Sequence, residues 1–324
     1  MKSRNRFTFT IFVILLILIT VTLPNVLSSI RGTEEIVFEV RGGETLSSIA
    51  ERLARRDIIE QQDIFILLAK MLDIDRKIKS GRYLLTKNTN EYTVLMKMYR
   101  GEVLLERITV PEGFNMYQIA GRVQSIFSID SLDFLRTCRS KALLREFSIE
   151  GDDCEGFLFP DTYFIARGKS GHDIVRIMLE RFEEEYPDTL FKEAQSGFTR
   201  YKYITLASMI EKEAVIESEK PVIAGVYYNR LERGMLLQCC ATVLYALGEP
   251  GRVTTYQDLK VESAYNTYKH PGLPPGPICS PGRKSVKAAL NPQENDYLYY
   301  VSKGDGSHIF SRTYREHIEV QRKQ

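Results

Sequence analysis

The sequence predicts an α+β protein in which an N-terminal transmembrane helix precedes the globular part. Three observations support this prediction: an uncharged apolar run near the N-terminus, short segments with strand-like alternation, and longer segments whose apolar residues recur at helical spacing. Hydrophobic residues make up 44% and charged residues 27% of the 324 residues, which is an ordinary globular composition. We expect a tail and anchor at 1–30, a small subdomain at 35–104, and a mainly helical domain with small β-hairpins at 105–324.

The first 30 residues have the features of a membrane anchor. Basic residues precede an apolar run at 7–23, and no charged residue follows before Arg31. As a helix, this run would be about 26 Å long at about 1.5 Å per residue, just enough for a hydrocarbon core. The basic flank predicts a cytoplasmic N-terminus and an extracytoplasmic bulk, so we expect a single-pass protein of the cell (inner) membrane. A cleaved signal peptide is the alternative, although VLS at 26–28 is a poor cleavage site.

The small subdomain should have the element order strand, helix, helix, strand. The corresponding segments are 36–40, a stretch from Thr45, about 62–72, and 81–85. The opening VRGGETLSSIA at 40–50 resembles the LysM fold, whose members commonly bind N-acetylglucosamine polymers. A structural subdomain without sugar affinity is the alternative reading.

The larger domain should be mainly helical, with one stiff loop. Apolar residues recur at helical spacing over 173–186, 203–215 and 221–233, and 297–301 with 308–310 predicts a hairpin. The loop PGLPPGP at 271–277 holds four prolines and two glycines in seven residues. Because such a segment cannot join a helix or a sheet ladder, it suits the wall of a cleft.

Composition argues against several classes of function. The net charge is +2, with 44 basic and 42 acidic residues, so nothing indicates a nucleic-acid partner. The four histidines show no i, i+4 pairing, and the five cysteines show no CxxC spacing. We therefore expect no metal site and no cofactor. An odd number of cysteines leaves at least one thiol unpaired.

Two glutamates on the predicted helix at 203–215 are candidate acids. A carboxylic acid can protonate a glycosidic oxygen near neutral pH only if desolvation or a nearby like charge keeps it protonated. Glu211 and Glu213 lie about 200° apart around a helix, so they cannot face the same cleft. Glu213 lies over Met209 and Ile210, and these apolar neighbours favour it as the acid. The alternative is that both glutamates are solvated charges that pair with nearby lysines.

The last third of the chain carries a series of motifs in a fixed order. They are LASMIEKE at 206–213, VYYNRL at 226–231, GMLLQ at 234–238, AYNTY at 264–268, GLPPGPI at 272–278 and NP at 291–292. In order and spacing these motifs resemble the endolytic murein transglycosylase family, the membrane-anchored type called MltG or YceG-like. GFLFPDTY at 156–163 and FSRT at 310–313 also resemble segments of that family. The resemblance therefore runs from the predicted anchor to the end of the chain.

The resemblance implies an activity on peptidoglycan glycan strands. The implied reaction is lytic cleavage of the β-1,4 bond between N-acetylmuramic acid and N-acetylglucosamine, which leaves a 1,6-anhydro end. The second glutamate of the motif, here Glu213, is implied as the catalytic residue. No cofactor is implied, and family members usually act inside strands and work alongside cell-wall synthases.

Two alternative functions remain open. A hydrolytic muramidase would need a second carboxylate, for which Asp161 and Glu217 are the only weak candidates. A non-catalytic peptidoglycan-binding scaffold would depend on the LysM-like part and on the altered Cys239-Cys240 segment.

Four residues near the motifs are candidates for substrate contact. Gln238 is the best neutral polar candidate. Tyr265 and Tyr268 are either sugar platforms or packing residues. Asn266 is either a turn former or a partner for an N-acetyl group.

The chain departs from the family pattern at one point. Cys239-Cys240-Ala241 stands where the family usually has Ser/Thr-Asp-Pro, before a helix expected from Thr242. Because Asp is a strong N-cap and a thiol is a poor acceptor, we expect Cys240 to cap that helix weakly.

Overall fold

The computed structural model describes residues 34–194 and 196–323, which form two compact units. The first unit holds residues 34–106 and 164–168, and the second holds 107–163 and the described residues from 169 onward. The anchor predicted at 1–30 lies outside the described residues. Within the described part, no helix combines the length and apolar character that crossing a bilayer requires.

The first unit has the element order that the sequence predicts. Its elements are β1 (Glu35–Val40), α1 (Leu46–Arg55), α2 (Gln62–Met71), β2 (Gly81–Thr86) and α3 (Glu91–Arg100). Strands β1 and β2 pair antiparallel, with Glu35 opposite Thr86 and Val40 opposite Gly81. The LysM assignment and sugar affinity stay predictions, because element order alone does not establish either.

Local signals explain where the helices of this unit begin and end. The Thr45 side chain caps α1 by accepting a hydrogen bond from the backbone N–H of Ser48. Asn90 caps α3 in the same way, and Gly101 ends that helix in the left-handed conformation with φ 73°. A separate hydrophobic core fills the space between strands and helices, and its fully buried members include Phe38, Leu53, Phe65, Tyr83 and Met98.

The second unit is mainly helical, as predicted. Its elements are α4 (Met116–Phe127), α5 (Ser131–Cys138), α6 (Lys141–Glu146), α7 (Gly171–Glu185), α8 (Asp188–Lys192), α9 (Arg200–Glu213), α10 (Lys220–Glu232), α11 (Cys240–Ala246), α12 (Arg283–Leu290), β5 (Tyr299–Ser302), β6 (His308–Ser311) and α13 (Tyr314–Gln321). The predicted hairpin forms, with Tyr299 opposite Ser311. Strands β3 (Leu105–Thr109) and β4 (Thr162–Ala166) form a further two-stranded sheet.

Helix α9 is the central helix of the second unit. It packs against α10, α11 and α12 and is buried from Tyr203 to Ile210. Thr199 caps its start by accepting from the backbone N–H of Lys202. Its last residue is Glu213, because Ala214 leaves the helix in an extended conformation at φ −92° and ψ 108°. The helix therefore ends two residues before the boundary at 215 that the sequence pattern predicts.

Candidate active site

A cavity of about 300 Å³ lies at the C-terminal end of α9 in the second unit. Glu213 lines this cavity together with residues from several elements. The other lining residues include Lys212 from α9, Asn115 and Gln118 from the start of α4, Cys240 and Tyr245 from α11, Arg252 from the loop after α11, and Ile278 just after the proline-rich loop. No described residue of that loop, 271–277, lines this cavity, so its predicted role as a cleft wall stays a prediction.

Glu213 reaches the cavity because it is the last residue of α9. Its side chain is half-buried, and its Oε1 accepts a hydrogen bond from the thiol of Cys239 at 3.1 Å. A carboxyl in this position combines access to a cavity with a fixed hydrogen-bond partner. It can therefore exchange a proton with a molecule bound there.

Glu211 has a different environment although it lies only two residues away. It accepts hydrogen bonds from Lys220 Nζ at 3.1 Å, from the backbone N–H of Gly282 at 3.1 Å and from Ser285 Oγ at 2.5 Å. The Glu211 and Lys220 side chains are only 11% and 6% exposed. Glu211 therefore joins α9 to α10 and α12 through a buried ion pair. Of the two glutamates, Glu213 is the one that lines the cavity.

The two tyrosines predicted as substrate contacts lie next to residues that line the cavity. The hydroxyl of Tyr268 lies 3.0 Å from the thiol of Cys240. The ring of Tyr265 packs on that of Tyr245, with 5.0 Å between the ring centroids. Both rings therefore support cavity-lining side chains, and contact with a sugar stays a prediction for each.

Gln238 and Asn266 occupy contrasting positions. Gln238 is exposed and adopts a left-handed backbone conformation at φ 52°, with its N–H donating to the carbonyl of Thr267 at 3.1 Å. Asn266 is fully buried, and its amide donates to the carbonyls of Leu259 at 2.9 Å and Val261 at 2.8 Å. Those contacts favour the turn-forming role for Asn266, whereas Gln238 keeps a side chain accessible to a ligand.

The structure corrects the expected role of Cys240. Helix α11 begins at Cys240, so the N-cap is Cys239, whose side chain makes no capping hydrogen bond. Thr242 holds this turn instead, because its hydroxyl donates to the carbonyl of Cys239 at 2.8 Å. The prediction that Cys240 caps a helix from Thr242 is therefore wrong.

The carboxylates considered for a hydrolytic mechanism are engaged elsewhere. Asp161 accepts from Arg181 Nε at 3.0 Å, and Glu217 pairs with Lys284. Neither belongs to the described side chains that line the cavity. No described group of His, Cys, Asp and Glu is arranged to hold a metal ion.

Sequence reasoning missed Glu155, a carboxyl beneath the cavity wall. Only 2% of Glu155 is exposed, and burial raises the pKa of its carboxyl to about 8. It accepts hydrogen bonds from the backbone N–H of Met116 and from the hydroxyl of Tyr245, each at 3.1 Å. Glu155 thus ties the start of α4 to α11. It stands just before the GFLFPDTY motif, where no periodic pattern marks a buried carboxyl.

Comparisons with known proteins agree with the motifs. The model of the YceG-like family matches residues 38–323 of this chain. A protein of Bacillus subtilis (strain 168) named endolytic murein transglycosylase is 32% identical over 301 residues, which cover 88% of this chain and 83% of that protein. A protein of the same name from Streptococcus pneumoniae serotype 2 (strain D39) is 28% identical, over 80% of this chain and 53% of its own length.

A solved structure of a yceG-like protein resembles this chain in both fold and sequence. The crystal structure of a yceG-like protein from Listeria monocytogenes superimposes with a TM-score of 0.61 at 33% sequence identity. The match covers 89% of this chain and 99% of that chain. The likeness of fold and the likeness of sequence therefore extend over the same large share of the molecule, and this chain belongs to the YceG-like family.

Proposed function

We propose that this chain is an endolytic peptidoglycan lytic transglycosylase in which Glu213 is the catalytic acid. The observation that carries this proposal is the division of roles between the two motif glutamates. Glu211 is held in a buried ion pair, whereas Glu213 lines the cavity. Family membership and the names of the relatives supply the reaction class.

The proposed reaction uses one carboxyl in two successive proton transfers. Protonated Glu213 donates its proton to the glycosidic oxygen as the β-1,4 bond between N-acetylmuramic acid and N-acetylglucosamine breaks. The resulting carboxylate then accepts the proton of the muramyl 6-hydroxyl as that oxygen attacks C1. The products are a 1,6-anhydro end and a free 4-hydroxyl, so no water is consumed.

This scheme agrees with the surroundings of the two weak carboxylate candidates. A hydrolytic muramidase requires a second carboxylate near the scissile bond. Asp161 and Glu217 are each bound to a basic side chain and do not line the cavity. A mechanism with one carboxyl therefore fits the cavity better than one with two.

We also propose a cellular setting for this activity. Residues 1–30 would anchor the chain in the cell membrane with the catalytic unit outside, and the first unit would act as a LysM-like module beside cell-wall synthases. The apolar run at 7–23 and the order of β1, α1, α2 and β2 support this arrangement. Protease treatment of spheroplasts tests it, because an extracytoplasmic catalytic unit should be degraded while the membrane is intact.

The chemical test is analysis of digestion products. The full chain, purified in detergent, is incubated with isolated peptidoglycan, and the released fragments are analysed by mass spectrometry. Anhydromuramyl ends support the proposal. Reducing muramyl ends would indicate a hydrolase, and intact strands would indicate a binding scaffold.

A further inference from the structure

A row of buried hydrogen-bonding groups extends away from the cavity behind Glu213. The Cys239 thiol donates to Glu213 Oε1 at 3.1 Å, and the Tyr227 hydroxyl lies near enough to that thiol to influence its pKa. The hydroxyls of Tyr227 and Tyr300 lie 3.0 Å apart. Both Cys239 and Tyr227 are fully buried. The proposed reaction uses none of these three groups directly.

The thiol is held in place from several sides. The backbone N–H of Cys239 donates to Thr267 Oγ1 at 2.9 Å, and its carbonyl accepts from Thr242 Oγ1 at 2.8 Å. The two tyrosines come from α10 and β5, so the row joins separate elements of the second unit. Burial raises the pKa of the Cys239 thiol well above its usual range, so the sulfur keeps its proton and can donate it in a hydrogen bond.

We propose that Cys239 is a positioning residue for the catalytic carboxyl, and this inference rests on the function proposed for Glu213. A glutamate side chain at the end of a helix has several rotatable bonds, so it needs a fixed contact to keep one orientation through both proton transfers. The thiol engages Oε1 and leaves Oε2 for the substrate.

Among the described residues, the other polar groups near Glu213 do not duplicate this contact. Lys212 donates to the carbonyl of Gly113 at 3.3 Å, and Arg252 pairs with Asp258 at 2.7 Å. The remaining titratable groups that surround Glu213 are the thiol of Cys240 and the hydroxyls of Tyr245, Tyr268, Tyr227 and Tyr300. A substitution at residue 239 alone leaves the identity of all these residues unchanged.

The test compares substitutions at residue 239 in the full chain, purified in detergent and assayed on isolated peptidoglycan. Cys239→Ala removes the donor, and we expect kcat to fall by about tenfold with little change in KM, in line with the loss of a hydrogen bond to a charged group.

Two further variants separate positioning from simple packing. Cys239→Ser keeps a donor of similar size, so it should restore kcat. Cys279→Ala removes another fully buried thiol, which contacts the carbonyl of Ser208 at 3.4 Å, and should leave kcat unchanged. If Cys239→Ala does not fold, Tyr227→Phe removes the hydroxyl beside the thiol and should lower kcat by a smaller amount, again with little change in KM.

The outcomes distinguish this inference from the proposed function. Wild-type kcat in both Cys239→Ala and Tyr227→Phe, with an inactive Glu213→Gln variant, would overturn the positioning role and leave the proposed function intact. An active Glu213→Gln variant would instead overturn the proposed function itself. Equal losses in Cys239→Ala and Cys239→Ser would show that packing, and not hydrogen bonding, explains the effect.

Discussion

Glu211 and Glu213 show how two identical side chains, two positions apart, acquire different roles. The difference comes from the neighbours that each side chain meets at the end of α9. Glu211 turns toward Lys220, Ser285 and the backbone of Gly282, whereas Glu213 turns toward Cys239 and the cavity. Helical spacing alone indicates that the two cannot share a face, and the tertiary contacts decide which one is accessible.

Replacing Glu213 by Gln should abolish cleavage without unfolding the protein. Glutamine keeps the shape of the side chain but cannot donate and recover a proton. We expect a loss of at least about 10²–10⁴-fold, the usual range for general acid–base catalysis. Muropeptide release measures the activity, and circular dichroism measures the fold.

Replacing Glu211 by Gln should mainly affect stability. The amide would leave the buried ammonium of Lys220 without its charged partner, and removing one member of a buried pair typically costs about 3–5 kcal/mol. Below its lowered melting temperature, this variant should retain substantial activity. A Glu211→Gln variant that is as stable as the wild type but inactive would show that we have assigned the two glutamates the wrong way round.

At the scale of elements, α9 shows which features a pattern can predict. Its existence is evident from the sequence, because apolar residues recur throughout 203–215. Its exact ends depend on the Thr199 cap and on the extended conformation of Ala214, which periodicity does not encode. The start of α11 is similar, since hydrogen bonds of Thr242 and Thr267 fix the turn at Cys239.

Glu155 shows which features a pattern cannot predict. Its burial depends on α4 and α11, which are distant in sequence and meet only in the folded unit. Asn266 is a related case, because its full set of buried partners is visible only once the loop is folded. In both cases the residue type is known but the environment that defines its role comes from tertiary structure.

The buried carboxyl of Glu155 predicts a specific dependence of stability on pH. Its pKa is raised to about 8 by burial, above the value of about 4.3 expected in an unfolded chain. Between these two values the folded state binds more protons than the unfolded state, so stability falls as pH rises. The Glu155→Gln variant lacks this titration.

Thermal melts of both proteins from about pH 5 to pH 8 measure this effect. The melting temperature of Glu155→Gln relative to wild type should increase steadily over that range. Because every other titrating group is common to both proteins, the difference isolates residue 155. Parallel curves for the two proteins would show that Glu155 does not titrate in this window.

At the scale of the whole molecule, each unit has its own core. The first unit has a separate hydrophobic cluster, and the second is built around α9. The ordered motifs of the sequence predict the family, and the alternation and helical spacing of its apolar residues predict the α+β class. The sugar affinity of the first unit is not decided by its element order, since that depends on surface side chains.

A fragment that begins at about Arg31 should fold and cut purified peptidoglycan. The described residues of the first unit begin at Glu34 and those of the second at Arg107, so the predicted anchor precedes both in the sequence. Circular dichroism and a muropeptide assay test this expectation. A folded fragment that does not cut, beside an active full chain, would show that the membrane segment is needed for activity.

The most direct test of the central claim is mass spectrometry of peptidoglycan digested by the wild type and by the Glu213→Gln variant side by side. We predict that the wild type releases fragments that end in 1,6-anhydromuramic acid and that the variant, folded by circular dichroism, releases none above background. Fragments with reducing muramyl ends from the wild type, or anhydro ends from the Glu213→Gln variant in similar amounts, would contradict the account.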